Sequence, residues 1–200
     1  AEIDARIKKA KSIMGFSKHF FDNKDVDRRL KYQVYTSGAL NALLWGCEIW
    51  NLTKKNLNKL RSFHHGAIRR ILQIRWHQVK EKRIKNKEVR AMFYNIPNVD
   101  AFIDRRVARY LGKTARSSDS SLPKKLLAAW INKERKPGGP QLTCNNNFVK
   151  VIKNILPAEC ALTNNNAPVR EWLPLAKDEP TWLHYIEEYF ETCRKNRRKF

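Results

Sequence analysis

One segment constrains the fold more than any other, because the residues after Thr53 combine an apolar face with a cationic face at helical spacing. The apolar face is made of Leu57, Leu60, His64, Ala67, Ile68 and Ile71. The opposite face carries Lys55, Lys59, Arg69 and Arg70. This pattern predicts an amphipathic helix that buries one side. Thr53 is a typical N-cap residue, so the helix should begin directly after it.

The same periodicity recurs along most of the chain, and no segment has the alternation of a β-strand. Helical series occupy residues 3–21, 30–44, 99–116, 123–131, 147–156 and 180–190, and a short helix should lie between Asn86 and Pro97. We expect Asn86 to cap one of these helices and the run Leu43 to Trp50 to be core, with Trp45 and Trp50 packed in it. No internal repeat is apparent. The sequence therefore predicts an all-α protein, an irregular array of about seven or eight helices with a basic surface.

The charge balance restricts the partners of such a protein. The chain has 41 Lys and Arg against 19 Asp and Glu, a net charge of +22 on 200 residues. Hydrophobic residues make up 42% of it, which is too many for a disordered basic tail. The charge is spread along the whole chain, a distribution that favours RNA or DNA over a membrane surface. The apolar runs are far shorter than the roughly 20 residues of a membrane span, so we expect no membrane partner.

The densest cationic stretch runs from Lys54 to Arg90, with 13 Lys and Arg against Glu81 and Glu88. A run of charge is often only a solvated helix face, but such an imbalance is self-repulsive unless an anion offsets it. Lys and Arg would contact phosphates, and Trp76 would stack on unpaired bases. The predicted contacts in this stretch are Lys55, Lys59, Arg69, Arg70, Arg75, Trp76, Lys80, Arg83 and Lys85.

The predicted helix Val99 to Arg116 contributes a second set of candidate contacts. Helical geometry places Arg106 on its apolar side, where a guanidinium must be paired or must reach out to solvent. Arg106 is therefore predicted to be structural, bonded to a carboxylate or to helix-end carbonyls. The exposed nucleic-acid stripe of this helix is predicted to consist of Arg105, Arg109, Lys113 and Arg116.

Catalytic and metal-binding constellations are not indicated. Asp22, Asp25 and Asp27 precede a helix, where capping is their ordinary use. His64 lies in the middle of the apolar face of its helix, where a hydrogen-bonded core histidine is more typical than a catalytic base, and His65 lies at the boundary of that face. The four cysteines have no C-x-x-C spacing, which indicates reduced thiols in a nuclear or cytoplasmic protein. We expect no cofactor and no metal.

Several segments resemble, in order and spacing, the C-terminal region of a LINE-type non-LTR retrotransposon reverse transcriptase. They are RIKKAKSIMGF, LLWGCEIWNLT, FHHGAIRRILQI, IKNKEV, RRVARYLGKTAR, PGGPQLT and EWLPLAKDEPTW. The resemblance implies a thumb-like helical pair in residues 1–52 and a basic helical region downstream of the thumb in residues 53–200. It also implies that polymerase palm and fingers modules act in cis.

Three functions are consistent with these features. The first is a nucleic-acid-binding segment of such an RNA-directed DNA polymerase, not catalytic alone because the chain has no paired aspartates to hold two metal ions. The second is a freestanding helical RNA- or DNA-binding protein derived from such an element. The third is a nuclease. The chain begins at Ala1 directly in a helical pattern, so we expect it to be a fragment of a longer protein.

Overall fold

The computed structural model describes residues 2–128, 144–156 and 169–195, and the described chain is all-α as predicted, without a strand in these ranges. The helices before the predicted Thr53 cap are α1 (Glu2–Phe16), α2 (Lys18–Asp22), α3 (Arg28–Val34) and α4 (Asn41–Leu43). Those after it are α5 (Lys54–Ile71), α6 (Trp76–Glu81), α7 (Asn86–Met92), α8 (Val99–Arg116), α9 (Leu122–Ala128), α10 (Cys144–Ile155), α11 (Val169–Lys177) and α12 (Glu179–Lys195).

Helices α3 and α4 are joined by a π-helical segment, Tyr35–Leu40, so the second predicted helix is continuous but irregular. The turns of a π-helix are wider than those of an α-helix. Around this segment, side-chain hydroxyls donate to backbone carbonyls of the preceding turn. The hydroxyl of Ser37 donates to the carbonyl of Gln33 at 2.8 Å, and that of Thr36 donates to the carbonyl of Tyr32 at 2.9 Å. The segment brings Tyr35 into the core, where it is fully buried.

The described helices form two compact units. The first comprises residues 2–47, 52–103 and 192–195. In it α1 packs against the π-helical segment, α4 and α5, and α5 packs against α7. Its core includes Met14, Phe21, Tyr35, Leu40, Leu43, Leu60, Ile68 and Phe93.

The second unit comprises residues 48–51, 104–128, 144–156 and 169–191. Its core combines the later turns of α8 with residues of α10, α11 and α12. Trp172 and Trp182 lie at its centre, both fully buried, with ring centroids 6.5 Å apart and nearly parallel planes. The indole Nε1 of Trp182 donates to the backbone carbonyl of Ala108 on α8 at 2.9 Å.

The predicted helix starts are partly confirmed. The hydroxyl of Thr53 accepts from the backbone N–H of Asn56 at 3.3 Å, as an N-cap should. Asp27 caps α3 by accepting from the backbone N–H of Arg29. The prediction for Asn86 is wrong, because it is the first residue of α7 and not its cap. Its side chain instead accepts from the Arg69 guanidinium at 2.7 Å.

The prediction that the run Leu43 to Trp50 is core holds for Leu43, Leu44 and Cys47 but is wrong for Trp45 and Ile49, which are 63% and 71% exposed. The reason is a turn that follows α4. Gly46 has φ +76°, a left-handed backbone that glycine adopts without strain. The chain therefore leaves the helical path after Leu44, and Trp45 no longer faces the side that periodicity assigns to it.

Candidate nucleic-acid interface

A short pattern occurs twice around α6 and shapes the basic region. It reads QIRWHQV from Gln73 and RIKNKEV from Arg83, ten positions apart. The first residue of each copy has a left-handed backbone, with φ 57° at Gln73 and 48° at Arg83. The following isoleucine donates its N–H to a carbonyl five residues earlier, at 2.9 and 3.1 Å. Each copy therefore ends one helix in the manner of a Schellman motif.

The same pattern starts the next helix. In the first copy the side-chain oxygen of Gln78 accepts from the backbone N–H of Arg75 at 2.9 Å. In the second, a carboxylate oxygen of Glu88 accepts from the backbone N–H of Lys85 at 3.2 Å. These bonds form one half of a capping box and let the chain re-enter a helix within two residues. A basic residue, Arg75 or Lys85, consequently stands at each turn.

The first of these turns encloses a shallow groove at the end of α5 and the start of α6. Four predicted contacts line it: Arg69, Arg70, Arg75 and Trp76. The indole of Trp76 is 63% exposed, an unusual position for so large an apolar ring. The ammonium of Lys80 lies 6.0 Å from the centre of that ring, at the outer limit of a cation–π contact. The groove therefore combines cations with a planar apolar surface.

Five further residues line the groove that sequence reasoning did not select, namely Asp22, Gly66, Gln73, Ile74 and Gln78. The side-chain amide of Gln73 donates to the carbonyl of Asp22 at 2.9 Å, which fixes one side of the groove. A Cβ at Gly66 would have open space around it. The repeat of isoleucine, a basic residue and a glutamine or glutamate is the sequence pattern that could have identified these turns.

The other predicted contacts before residue 90 lie outside this groove. Lys55 is exposed near the start of α5, whereas Lys59 forms an ion pair with Asp4 of α1, its Nζ 2.6 Å from the carboxylate. That pair lowers the pKa of Asp4. Arg83 is exposed at the second turn, and Lys85 lines a separate pocket.

The arginines of α8 differ from the predicted exposed stripe. Arg105 is only 30% exposed, and two nitrogens of its guanidinium donate to the carboxylate of Glu187 on α12. The distances from Arg105 Nη2 to the two carboxylate oxygens are both 2.7 Å. Its guanidinium also lies 4.5 Å from the ring centre of Phe190. Arg109 bonds the same carboxylate at 2.9 Å but remains more exposed. Arg105, predicted to be exposed, therefore forms an ion pair within its unit. Arg106 is itself half-buried, and its structural role stays a prediction.

Arg116 also forms hydrogen bonds within its unit, whereas Lys113 is exposed. Arg116 donates to the carboxylate of Glu179 at 3.0 Å and to the carbonyl of Ala176 at 3.1 Å. Lys113 is exposed. Of the predicted stripe on α8, Arg109 and Lys113 are therefore the more accessible members, and their binding of nucleic acid stays a prediction.

These contacts predict that Arg105→Ala lowers the free energy of unfolding by about 1–3 kcal/mol, because it removes a bidentate ion pair together with packing on Phe190. Arg109→Ala should cost less than about 1 kcal/mol, as expected for an exposed ion pair. Urea denaturation of both variants measures the difference. Equal stabilities would show that the Arg105 contacts contribute nothing beyond those of Arg109.

His64 of α5 is buried, as predicted for a core histidine, and His65, expected at the boundary of the apolar face, is buried as well. A carbonyl can only accept, so the contact of 3.1 Å between His64 Nε2 and the Pro97 carbonyl places the imidazole proton on Nε2. His64 Nδ1 then accepts from the Tyr35 hydroxyl at 2.8 Å. Burial lowers the pKa of His64 to about 3 and raises the pKa of Tyr35 far above its usual range. Both groups are therefore neutral in the folded chain.

His65 has the opposite arrangement. Its Nε2 lies 2.9 Å from Arg90 Nη1, and because a guanidinium can only donate, this nitrogen is the acceptor. Burial, with the Arg90 charge second, lowers the pKa of His65 to about 4. The nearby carboxylate of Asp100 forms a bidentate ion pair with Arg61, and this ion pair raises the pKa of Arg61.

Neither a metal-binding group nor a membrane-spanning helix is found in the described part of the chain. Within residues 2–128, 144–156 and 169–195, no group of three or more His, Cys, Asp or Glu side chains is arranged to hold a metal ion. None of the helices described there combines the length and apolar composition that crossing a bilayer requires.

The chain is similar to a Caenorhabditis elegans protein described as an uncharacterized transposon-derived protein, F52C9.6. The two are 25% identical over 190 residues, which make up 92% of this chain. The chain spans 63% of that protein's length. No family model and no solved structure matches the chain. The similarity points to an origin in a transposable element.

Proposed function

We propose that this chain is the nucleic-acid-binding C-terminal segment of a retrotransposon-type RNA-directed DNA polymerase. In this proposal residues 1–52 form a thumb-like helical pair and residues 53–200 form the basic region downstream of it. RNA or DNA is the partner, and a palm and fingers module supplies the chemistry in cis. The transposon-derived relative and the ordered motifs of the sequence support the assignment.

The observation that carries the proposal is the groove formed by Arg69, Arg70, Arg75 and Trp76. Three guanidiniums can contact successive phosphates, and an indole that is largely exposed can stack on an unpaired base. Base stacking contributes about 1–3 kcal/mol per base and does not depend on sequence. The groove therefore favours single-stranded or locally unpaired nucleic acid without sequence-specific readout.

We expect the purified chain to bind fluorescent single-stranded RNA or DNA with steep salt dependence. With about six phosphate contacts, the slope of log K against log salt should be about −4 to −5. Anisotropy titrations between low and moderate salt measure this slope. A slope near zero, or no binding at low salt, would contradict the proposal.

Variants locate the binding surface. Arg75→Ala should weaken binding and reduce the slope by about one unit. Trp76→Ala should weaken single-strand binding about tenfold with little change in slope, and Trp76→Phe should restore part of the loss. Lys125→Ala, which removes an exposed cation on α9, serves as the control. If the control weakened binding as much as Arg75→Ala, the affinity would come from overall charge and not from the groove.

A further inference from the structure

A second concave site lies in the first unit and shares no lining residue with the groove. Its cationic lining residues are Lys85, Lys87, Arg90 and Arg194, and its acidic lining residue is Glu88. Ile96, fully buried, contributes apolar surface at its base. Four positive charges against one negative charge make this pocket a strong candidate for an anion.

Arg90 is the central feature of the pocket. Its guanidinium is half-buried, and its Nη1 donates to the neutral His65 ring at 2.9 Å. Among the residues that the structure describes, no carboxylate lies within ion-pair distance of Arg90. Asp100 acts on it only through space and is itself held by Arg61. A half-buried charge of this kind calls for a counter-ion.

The residues around Arg90 orient its guanidinium and determine which groups can neutralise its charge. The bond to His65 fixes one arm of the guanidinium, so its remaining donors keep a defined direction. Glu88 directs one carboxylate oxygen to the backbone N–H of Lys85. Arg194 approaches from the end of α12, with its Nε 3.3 Å from the Tyr94 carbonyl. The pocket is therefore a fixed arginine fork flanked by further cations.

We propose that this pocket binds a dianionic phosphate group, which occurs as a monoester at the end of a nucleic-acid strand or on a free nucleotide, and also as inorganic phosphate. A phosphate monoester carries a charge of about −1.5 to −2 at neutral pH and three acceptor oxygens. Its oxygens match the paired donors of a guanidinium, and its double charge matches the excess of cations. The site is independent of the groove proposed above for strand binding.

The test titrates the full chain with three probes: inorganic phosphate, a nucleoside 5′-monophosphate and the corresponding nucleoside. Binding is followed by the imidazole nitrogen resonance of His65, which contacts Arg90 directly. Phosphate and the monophosphate should shift this resonance, and the nucleoside should not. Lys87→Ala, which removes an exposed cation of the pocket, should weaken phosphate binding about threefold, and Arg90→Gln should weaken it about tenfold. Lys125→Ala should bind as the wild type does.

The source of the phosphate is distinguished in a Trp76→Ala background, in which groove binding is weakened. Tighter binding of a 5′-phosphorylated oligonucleotide than of its 5′-hydroxyl counterpart would support a strand end as the ligand. Equal affinity for phosphate and the monophosphate would support the free anion. If Arg90→Gln fails to fold, Lys87→Ala decides the question. Unchanged affinity in Lys87→Ala, or nucleoside binding as tight as that of the monophosphate, would overturn the proposal.

Discussion

Replacing Gly112 by alanine is expected to destabilise the chain by about 2–3 kcal/mol, although alanine is the better helix former by about 1 kcal/mol. A Cβ at this position of α8 would lie 2.5 Å from both Cδ1 and Nε1 of Trp182. That indole cannot move aside, because it is fully buried, nearly parallel to the ring of Trp172 and bonded to the Ala108 carbonyl. Overpacking of this kind costs about 1–3 kcal/mol, and a broken buried hydrogen bond adds to it.

Gly66→Ala is the matched control for Gly112→Ala. Gly66 also lies inside an 18-residue helix, but a Cβ there meets no atom within 4 Å. The control variant should therefore gain about 0.5–1 kcal/mol. Thermal denaturation should show Gly112→Ala melting roughly 5–10 °C below the wild type. If both variants were stabilised, Trp182 would not approach α8 as closely as the structure has it.

The second large effect is a loss of stability in mild acid. The unfolded His64 has a pKa near 6.5, whereas burial in the folded chain lowers the pKa to about 3. The unfolded state therefore binds an extra proton between these values, so stability is complete above pH 6.5 and declines as the pH falls toward 3. The decline is about 1.4 kcal/mol per pH unit for this residue, or about 2 kcal/mol between pH 7 and pH 5. His65 acts in the same direction.

Urea unfolding at pH 7 and pH 5 measures this dependence. His64→Gln should be less stable than the wild type at pH 7, because the Tyr35 bond is disturbed, yet its stability should fall less on acidification. His184→Gln, which removes an exposed histidine, should keep the pH dependence of the wild type. A wild-type pH dependence in His64→Gln would mean that His64 does not carry the acid sensitivity.

Much of the helical framework could be predicted from the sequence. The helix Val99–Arg116 begins and ends where periodicity placed it, and the apolar face of α5 buries Leu60, His64 and Ile68. These features depend on residues three or four positions apart, so the local pattern determines them. The left-handed residues Gln73 and Arg83 escaped prediction because neither is a glycine, the usual residue at a helix end.

The candidate site could be predicted only in part for the same reason. Arg69, Arg70, Arg75 and Trp76 are close in sequence, and the turn after α5 gathers them into one groove. The pocket around Arg90 was not predicted, because it also requires Arg194, about a hundred residues further along the chain. No local pattern reports that such distant residues meet.

By itself the sequence determined that this protein is helical and strongly cationic and that His64 faces the core, since helical period and net charge are properties of the chain. Only the tertiary structure decided which cations are neutralised. Periodicity placed Arg105 on the exposed stripe of α8, whereas α12 brings Glu187 to it and forms an ion pair. The partner of a side chain depends on how two helices pack, which is fixed by the shapes of both surfaces.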